Sequence, residues 1–253
     1  MRTLDLNCDM GEYEDPARLA REAQLMPLIT SVNIACGAHA GHPELMLRTA
    51  RLAVQHGTAI GAHPGFPDTQ DFGRRDHQAS AKEVESLVFV QLKTLTDVLA
   101  SVHLRLSHMK LHGALYNLAS RDRTVADAVT RALTSFNPHL LLFALSGSEL
   151  VTSGRTAGLT VIQEAFADRA YQSDGTLVPR TQPNALLQTQ QHVREQLCAI
   201  LTGSVTSVDG EHVPIRADTL CVHMDTPHAG ELLQLIRQEL ASAGVRITKP
   251  FRT

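Results

Sequence analysis

Short apolar segments alternate with long helical patterns along the whole chain. The segments that match strands are 3–7, Ser31–Ala35, 59–62, 104–109, 140–145, 160–166 and 220–223, with a further candidate at 245–249. Strands that alternate with helices favour a parallel sheet, because parallel neighbours need a long crossover connection. Seven or eight such units in 253 residues favour a closed barrel, which typically takes about 250 residues. The sequence therefore predicts an α/β fold, a seven- or eight-stranded parallel (β/α) barrel that occupies residues 1–253 as a single domain.

Three long helices are predicted from apolar residues that recur with the helical period. They span 81–102, 183–201 and the segment after Thr226-Pro227, where threonine can cap a helix and proline suits its first position. The segment 205–215 interrupts the alternation of strands and helices. It contains an Asp-Gly pair, which is typical of a two-residue turn, and therefore predicts a β-hairpin.

Charge and cysteine content exclude several classes of protein. The chain carries 23 basic and 26 acidic residues, a net charge of -3, and so lacks the positive surface that binding to nucleic acid requires. No apolar run approaches the roughly 18 residues that a membrane helix needs, and the N-terminus lacks the apolar core of a signal peptide. The four cysteines lie far apart without CxxC pairs, which argues against a disulfide framework or a structural zinc site. We expect a cytoplasmic protein that binds neither nucleic acid nor membrane.

Polar residues follow six of the seven main predicted strands, and they include most of the candidates for chemistry. In an α/β barrel the carboxyl ends of the strands meet at one rim, where active sites lie. In chain order these residues are Asn7, Asp9, Glu12, His39, His63, Lys110, His112, Asp168, Arg169, His223 and Asp225. We therefore expect a basin of carboxylates, imidazoles and one ammonium group, in which pKa values are shifted and acid–base catalysis is favoured.

The alternation of side chains along a strand sharpens this prediction, since residues two apart point to the same face. The sets that share a face are Asp5, Asn7 and Asp9 on the first strand, and His108, Lys110 and His112 on the fourth. A single histidine at a strand end is more often a structural residue held by hydrogen bonds than a catalyst. The clustering decides in favour of a site, because polar groups are costly to bury without partners.

Anion and metal binding are two further predictions for this basin. Arg74-Arg75 lies in the long loop after the third strand, either as a solvated pair or as an anion clamp. We favour the clamp, because guanidinium groups match carboxylate and phosphate. A zinc or manganese site is an alternative use of the imidazoles, and its candidate ligands are Asp9, His39, His63 and His112. The sequence contains neither a P-loop nor a GxGxxG motif, so a nucleotide would bind through strand-end loops.

Several motifs lie in a characteristic order along the chain. They are DLNCDMGE from Asp5, NIACG from Asn33, HAG from His39, GAHPG from Gly61, FGRR from Phe72, Lys110 followed by HGALYN from His112, FADR from Phe166, LVPR from Leu177, and CVH from Cys221 before Asp225-Thr226-Pro227. In this combination and order the motifs resemble those of the lactam-utilisation (LamB/YcsF) family over almost the whole chain. Met224 stands where that family usually has glycine, and we expect its side chain to narrow the mouth of the barrel.

The resemblance implies both a fold and a function. The family fold is a barrel of the glycoside hydrolase/deacetylase type, often with seven strands. The implied function is that of one subunit of a bacterial 5-oxoprolinase, which opens the lactam of 5-oxo-L-proline to L-glutamate, with a related lactam as an alternative substrate. This reaction uses ATP with Mg²⁺ and requires two partner subunits. A stand-alone metal-dependent amide hydrolase or deacetylase, and a non-catalytic subunit that binds substrate, are the other two hypotheses.

Within the implied function, each candidate residue has an expected role. The catalytic candidates are Asp9, His39, His63, Lys110, His112 and Asp168. The candidates for binding substrate or ATP are Asn7, Glu12, Arg74, Arg75, Asn117, Arg169, His223 and Asp225. The lysine and the arginines would neutralise phosphate, a carboxylate would act as base, and the imidazoles would transfer protons or stabilise an oxyanion.

Overall fold

Parallel strands close into a barrel in the computed structural model, which describes residues 2–75, 77–180, 182–187, 189–224 and 228–250. In chain order the strands are β1 (Thr3–Met10), β2 (Ser31–Ala35), β3 (Ala59–His63), β4 (His108–Lys110), β5 (Leu141–Leu145), β6 (Val161–Phe166), β7 (Ser204–Thr206), β8 (His212–Pro214), β9 (Thr219–Cys221) and β10 (Arg246–Ile247). Seven of these strands run parallel around the barrel as β1-β2-β3-β4-β5-β6-β9, and β9 closes the ring by pairing with β1. The predicted α/β class and parallel barrel are confirmed.

The remaining described strands lie outside the ring. The eighth candidate strand of the sequence is β10, which pairs with the start of β1 at Thr3 and Leu4. The strands β7 and β8 form an antiparallel ribbon, at the place where the sequence predicts a hairpin over 205–215.

Among the described residues, eight α-helices pack around the strands. They are α1 (Pro16–Leu25), α2 (Pro43–Gln55), α3 (Ala81–Ala100), α4 (Gly113–Arg121), α5 (Arg123–Phe136), α6 (Glu149–Thr156), α7 (Gln190–Thr202) and α8 (Ala229–Ser242). The apolar stripe that the sequence predicts for α8 is buried, at Leu232, Leu233, Ile236 and Leu240. Thr226 and Pro227, which are predicted to start this helix, lie outside the described residues. No helix in the described ranges combines the length and the apolar character needed to cross a membrane.

Two predicted boundaries are wrong, and the first is that of β4. The strand covers His108–Lys110 rather than 104–109. The amide of Leu104 donates to the carbonyl of Leu99 (3.0 Å), so this residue still belongs to the end of α3. The chain joins the sheet only at Ser107, whose amide donates to a carbonyl of β3 (2.8 Å).

The second wrong boundary is the start of α7, which is predicted within 183–201 and begins at Gln190. The amide of Leu187 donates to the carbonyl of Asp168 (2.9 Å), which ties the preceding segment to the loop after β6. The helix begins where the side chain of Thr189 can accept a hydrogen bond from its first turn. Tertiary contacts therefore override the helical spacing of the apolar residues before it.

The inside of the barrel is polar, as the alternation along β1 predicts. Asn7 Nδ2 donates to Glu164 Oε1 (2.8 Å), a contact that crosses the ring from β1 to β6. Asp5 accepts hydrogen bonds from Ser31 (2.7 Å) on β2 and from Thr219 (2.6 Å) on β9. Each of these buried polar groups has a partner, so the interior avoids the cost of unsatisfied burial.

His108 fills the barrel interior next to Gly61. Its Nε2 lies 2.9 Å from Asn33 Oδ1, and its ring stacks on Phe143 with 4.2 Å between centroids. A side chain on Gly61 of β3 would overlap the imidazole, so the close approach of these strands requires glycine. Burial, followed by the charge of Lys110, lowers the pKa of His108 to about 3. The ring is therefore neutral at neutral pH.

The neutral state of His108 makes stability depend on pH. Between the ordinary histidine pKa of 6.5 and the folded-state value of about 3, the unfolded chain binds a proton that the folded chain does not, so stability falls as the pH decreases. We expect His108→Gln to remove about 2 kcal/mol of the loss in unfolding free energy between pH 7 and pH 5, measured by urea unfolding and circular dichroism. The exposed His192→Gln is the control. Equal pH slopes for wild type and His108→Gln would contradict this expectation.

Candidate functional site

A buried ammonium group lies at the floor of the site. Lys110 Nζ lies 3.1 Å from Asp9 Oδ1 and 3.0 Å from Glu164 Oε1. It also lies 2.9 Å from Cys221 Sγ and 3.1 Å from Asn7 Oδ1. These groups belong to β1, β6 and β9, so one side chain of β4 joins strands with which β4 does not pair. Because Lys110 is only 2% exposed, these contacts replace its hydration.

Mutual interactions set the protonation of this network. Burial alone would lower the pKa of Lys110, but Asp9, Cys221 and Glu164 raise that pKa well above its usual range. Burial opposes the ionisation of Asp9, yet His63 and Lys110 hold its pKa well below the usual range. Burial also raises the pKa of the Cys221 thiol well above its usual range. At neutral pH the floor therefore contains an ammonium group, an ionised Asp9 and a neutral thiol.

Glu164 and Tyr116 complete the network, although neither is among the site residues predicted from the sequence. Glu164 is fully buried in β6, and its Oε2 accepts a hydrogen bond from the Tyr116 hydroxyl (2.7 Å). Burial, followed by the carboxylate of Glu164, raises the pKa of Tyr116 well above its usual range, so the hydroxyl remains a donor. An acidic residue inside a mostly apolar strand is a signal that could have found Glu164, because burial of a carboxylate requires a partner.

Three imidazoles and Glu12 form a second cluster beside the floor. His63 Nε2 lies 2.9 Å from His112 Nδ1 and 3.4 Å from Asp9 Oδ2. His39 stacks on His112 with 3.7 Å between ring centroids, and its Nε2 lies 3.3 Å from Glu12 Oε1. Burial lowers the pKa of His39 and holds that of His112 well below its usual range. Both of these rings are therefore neutral at neutral pH.

The loop after β3 holds the imidazoles in place. His112 Nε2 lies 2.8 Å from the carbonyl oxygen of Phe72. The Phe72 ring contacts His39 and His112 edge-on, with centroids 5.5 and 5.4 Å apart, and stacks on Tyr13 at 5.2 Å. The φ angle of Phe72 is 55°, a left-handed value that costs free energy for a residue with a side chain. The ring contacts stabilise this strained position, which aims the carbonyl at His112.

An open cavity of about 440 Å³ lies above the floor, at the carboxyl ends of the strands. Most of the predicted site residues line it, namely Asp9, Glu12, His63, Arg74, Arg75, Lys110, His112, Asn117, Arg169 and His223. Met224 also lines the cavity, as expected from its position after the last strand of the ring. A cavity of this size accommodates a small-molecule ligand.

The other predicted site residues lie behind the cavity wall or outside the described chain. Asn7 lies beneath the floor and His39 lies behind the imidazole layer, and both are buried. Asp168 Oδ2 lies 3.8 Å from His223 Nδ1 and so contacts the site through that ring. Asp225 lies outside the described residues.

Guanidinium groups surround the mouth of the cavity and form what we term the arginine rim. Its members are Arg74, Arg75, Arg121, Arg169 and Arg180. The position of Arg169 is fixed, because its Nη2 and Nε donate to the carbonyls of Val178 (2.7 Å) and Ala185 (3.3 Å). Burial lowers the pKa of Arg169 to about 10, so its side chain stays charged at neutral pH. Arg121 and Arg180 are not among the predicted residues, because their approach to the mouth depends on how α4 and the loop after β6 pack. The rim suits an anionic ligand.

The fold and the cavity define an α/β-barrel protein with a polar ligand site at the carboxyl ends of its strands. Residues 4–253 match the LamB/YcsF family, and the chain belongs to that family. It is 44% identical over 250 residues to the 5-oxoprolinase A-subunit of Halalkalibacterium halodurans, and the match covers 98% of this chain and 97% of the relative. It is 46% identical over 248 residues to the 5-oxoprolinase A-subunit of Tolumonas auensis, with 98% and 99% covered. The solved structure of the lactam utilization protein from Thermus thermophilus has a TM-score of 0.86 at 40% identity, with 97% and 99% of the two chains covered.

The Lys110 network predicts a ranked loss of stability. Lys110→Met leaves the carboxylates of Asp9 and Glu164 buried without their cation, so we expect unfolding free energy to fall by about 3–5 kcal/mol. Tyr116→Phe removes one hydrogen bond to Glu164, and the expected loss is about 1–3 kcal/mol. Urea unfolding followed by circular dichroism measures both values.

A matched control comes from Lys93, which forms an exposed ion pair with Asp97 on α3. Lys93→Met should change stability little, because exposed ion pairs contribute little. A loss for Lys110→Met no larger than that for Lys93→Met would show that the buried network does not stabilise the barrel.

Proposed function

We propose that the chain is the A-subunit of an ATP-dependent 5-oxoprolinase, which opens the lactam of 5-oxo-L-proline to L-glutamate. One observation carries the proposal: a ligand-sized cavity combines the ionised carboxylate of Asp9, neutral imidazoles and the arginine rim. The relatives that bear the name of this 5-oxoprolinase component support it, since the similarity extends over almost their whole length.

The chemistry of a lactam explains why such a site is needed. A lactam is a resonance-stabilised amide and resists direct hydrolysis. Transfer of the γ-phosphoryl group of ATP, bound with Mg²⁺, to the lactam oxygen makes the ring carbon electrophilic. Water adds to that carbon, the C–N bond breaks as the nitrogen is protonated, and a second water releases phosphate from the resulting acyl phosphate. These steps need cations near the phosphoryl oxygens, a base for water and a donor for the nitrogen.

Asp9 is the residue that we assign to the attacking water. Its Oδ1 accepts hydrogen bonds from Lys110 (3.1 Å) and Asn33 (2.8 Å), which hold the carboxylate in one orientation. Its Oδ2 lies 3.4 Å from His63 Nε2, and the residue lines the cavity wall. Because its pKa is held low, Asp9 is ionised at neutral pH and orients water by accepting a hydrogen bond from it.

His223 and Asp168 are the residues that we assign to proton transfer. His223 Nε2 lies 3.9 Å from Asp9 Oδ2, and its Nδ1 lies 3.8 Å from Asp168 Oδ2. Burial, followed by the charge of Arg180, lowers the pKa of His223, so the free ring is neutral and can accept a proton. The buried carboxylate of Asp168 would stabilise the resulting imidazolium. Distances of this length are common in catalytic groups without substrate and shorten when substrate binds.

The arginine rim is the proposed binding site for the phosphoryl oxygens and for the carboxylate of the substrate. Arg169 is the best positioned member, because its guanidinium is held by two backbone carbonyls. Lys110 serves the phosphate only indirectly, since its ammonium group is already surrounded by buried partners. We assign the reaction to the cytoplasm, where ATP is available, and to a complex of this chain with two partner subunits.

Reconstitution tests the proposed function. The full chain is produced together with the products of neighbouring genes, and ATP-dependent release of glutamate from 5-oxoproline is assayed with and without it. We expect release only when the chain and its partners are all present. Release that continues without this chain would contradict the proposal. Amide hydrolysis by the chain alone, without ATP, would instead identify a stand-alone hydrolase.

Replacement of Asp9 separates a catalytic role from a binding role. Asp9→Asn keeps the side-chain shape and removes the charge, so we expect kcat of the complex to fall at least about 100-fold with little change in KM for 5-oxoproline. The exposed Asp97→Asn is the matched control, and circular dichroism shows whether each variant is folded. A raised KM at normal kcat would indicate a subunit that only binds substrate, and near-normal kinetics would remove Asp9 from the mechanism.

A further inference from the structure

The contact between His63 and His112 has an unusual arrangement of protons. His63 Nε2 and His112 Nδ1 lie 2.9 Å apart. The other nitrogen of each ring faces a backbone carbonyl, at 2.9 Å from Lys110 O for His63 and at 2.8 Å from Phe72 O for His112. A carbonyl oxygen only accepts hydrogen bonds, so these outer nitrogens carry the ring protons.

In the neutral rings, the two facing nitrogens therefore both present lone pairs. Two lone pairs at this distance repel each other unless an electron-pair acceptor lies beside them. Proteins orient metal-binding histidines in this way, with the outer N–H donated to a backbone carbonyl. His63 and His112 are 1% and 5% exposed, so neither ring can turn its lone pair toward bulk water.

Glu12 adds a carboxylate oxygen to the same place. Its Oε1 lies 3.6 Å from His112 Nδ1, and Glu12, His63 and His112 offer ligand atoms that lie within 4.8 Å of one another. Two ligand atoms bound to one tetrahedral zinc ion, each at about 2.0–2.1 Å, are about 3.3–3.4 Å apart. The separations of 2.9 and 3.6 Å lie on either side of that value.

We propose that this cluster binds a divalent transition metal of the zinc class through His63 Nε2, His112 Nδ1 and Glu12 Oε1. Two imidazoles and one carboxylate are a donor set that zinc uses in hydrolytic enzymes. Three protein ligands leave one coordination position for water or substrate, and a metal in such a site supplies Lewis-acid activation. The inference goes beyond the proposed function, because it rests on the contacts of this chain alone.

His39 is a positioning residue for this site rather than a ligand. Its ring is parallel to that of His112, with an interplanar angle of 3° and 3.7 Å between centroids. Two rings stacked in this way cannot both direct an in-plane lone pair at one ion. The Nε2 of His39 instead lies 3.3 Å from Glu12 Oε1, where it holds the carboxylate in place.

A second group of potential ligands fits a metal less well. Asp9, Cys221 and His223 also bring ligand atoms within 4.8 Å of one another. However, Lys110 Nζ lies 2.9 Å from Cys221 Sγ and 3.1 Å from Asp9 Oδ1, so a metal ion there would face an ammonium group. Electrostatic repulsion therefore favours the His63–His112–Glu12 cluster.

Metal binding by the full chain tests the inference without partner subunits, ATP or lactam. The purified protein is treated with a chelator, Co²⁺ is added, and visible absorption is recorded. Zn²⁺ is then titrated in competition, and the bound metal is counted by elemental analysis. We expect one Co²⁺ per chain with the absorption of a four-coordinate ion, displacement by Zn²⁺, and a higher unfolding temperature with metal bound.

Histidine variants locate the site. We expect His63→Gln and His112→Gln each to weaken Zn²⁺ binding by more than about 100-fold, because each removes a ligand, and His39→Phe to weaken it by about 10–100-fold, because it removes only the support of Glu12. The exposed His192→Gln should bind as the wild type does. Circular dichroism shows that each variant is folded before its affinity is compared.

Two results would overturn the inference. Wild-type protein that binds no Co²⁺ would show that a shared proton, and not a metal, occupies the contact between the two rings. A Co²⁺ spectrum with intense thiolate charge-transfer bands would place the metal at Cys221 instead, and this result needs no variant to fold. Either failure leaves the proposed 5-oxoprolinase function standing, because glutamate release is measured separately.

Discussion

The buried ammonium group of Lys110 is the interaction on which the rest of the structure depends. It neutralises carboxylates from β1 and β6 inside the ring, where an unpaired charge would be strongly destabilising. In most α/β barrels, branched apolar side chains fill this space. Here the strands close around hydrogen-bonded polar side chains, and the polar interior continues directly into the cavity. The same network therefore stabilises the barrel and forms the base of the site.

Several site residues divide their polar atoms between the fold and the cavity. Asp9 uses Oδ1 to bind Lys110 and Asn33, which leaves Oδ2 directed at the ligand space. His63 and His112 each use one nitrogen to bind a backbone carbonyl and present the other to the cluster. Structural hydrogen bonds thus orient the reactive atoms before any ligand arrives, which reduces the cost of organising them during binding or catalysis.

The ring of strands could be predicted because each buried strand is a short apolar segment between helical patterns. The alternation along β1 also identified Asn7 and Asp9, since both point inward from one strand. The start of α7 and the importance of Glu164 could not be predicted in the same way. Each depends on a partner distant in sequence: the loop after β6 for the segment before α7, and Lys110 with Tyr116 for Glu164. Periodicity reports the local environment of a residue and does not identify its partners.

The strand that closes the ring, β9, comes late in the chain. It pairs with β6 on one side and with β1 on the other, so the first strand must wait for residues 219–221 before its free edge is covered. Pairing over such sequence distances slows folding. During synthesis, the mouth of the barrel cannot form until most of the polypeptide has left the ribosome. Any binding partner that recognises the assembled mouth therefore selects finished chains over truncated ones, which gives assembly a built-in check on completeness.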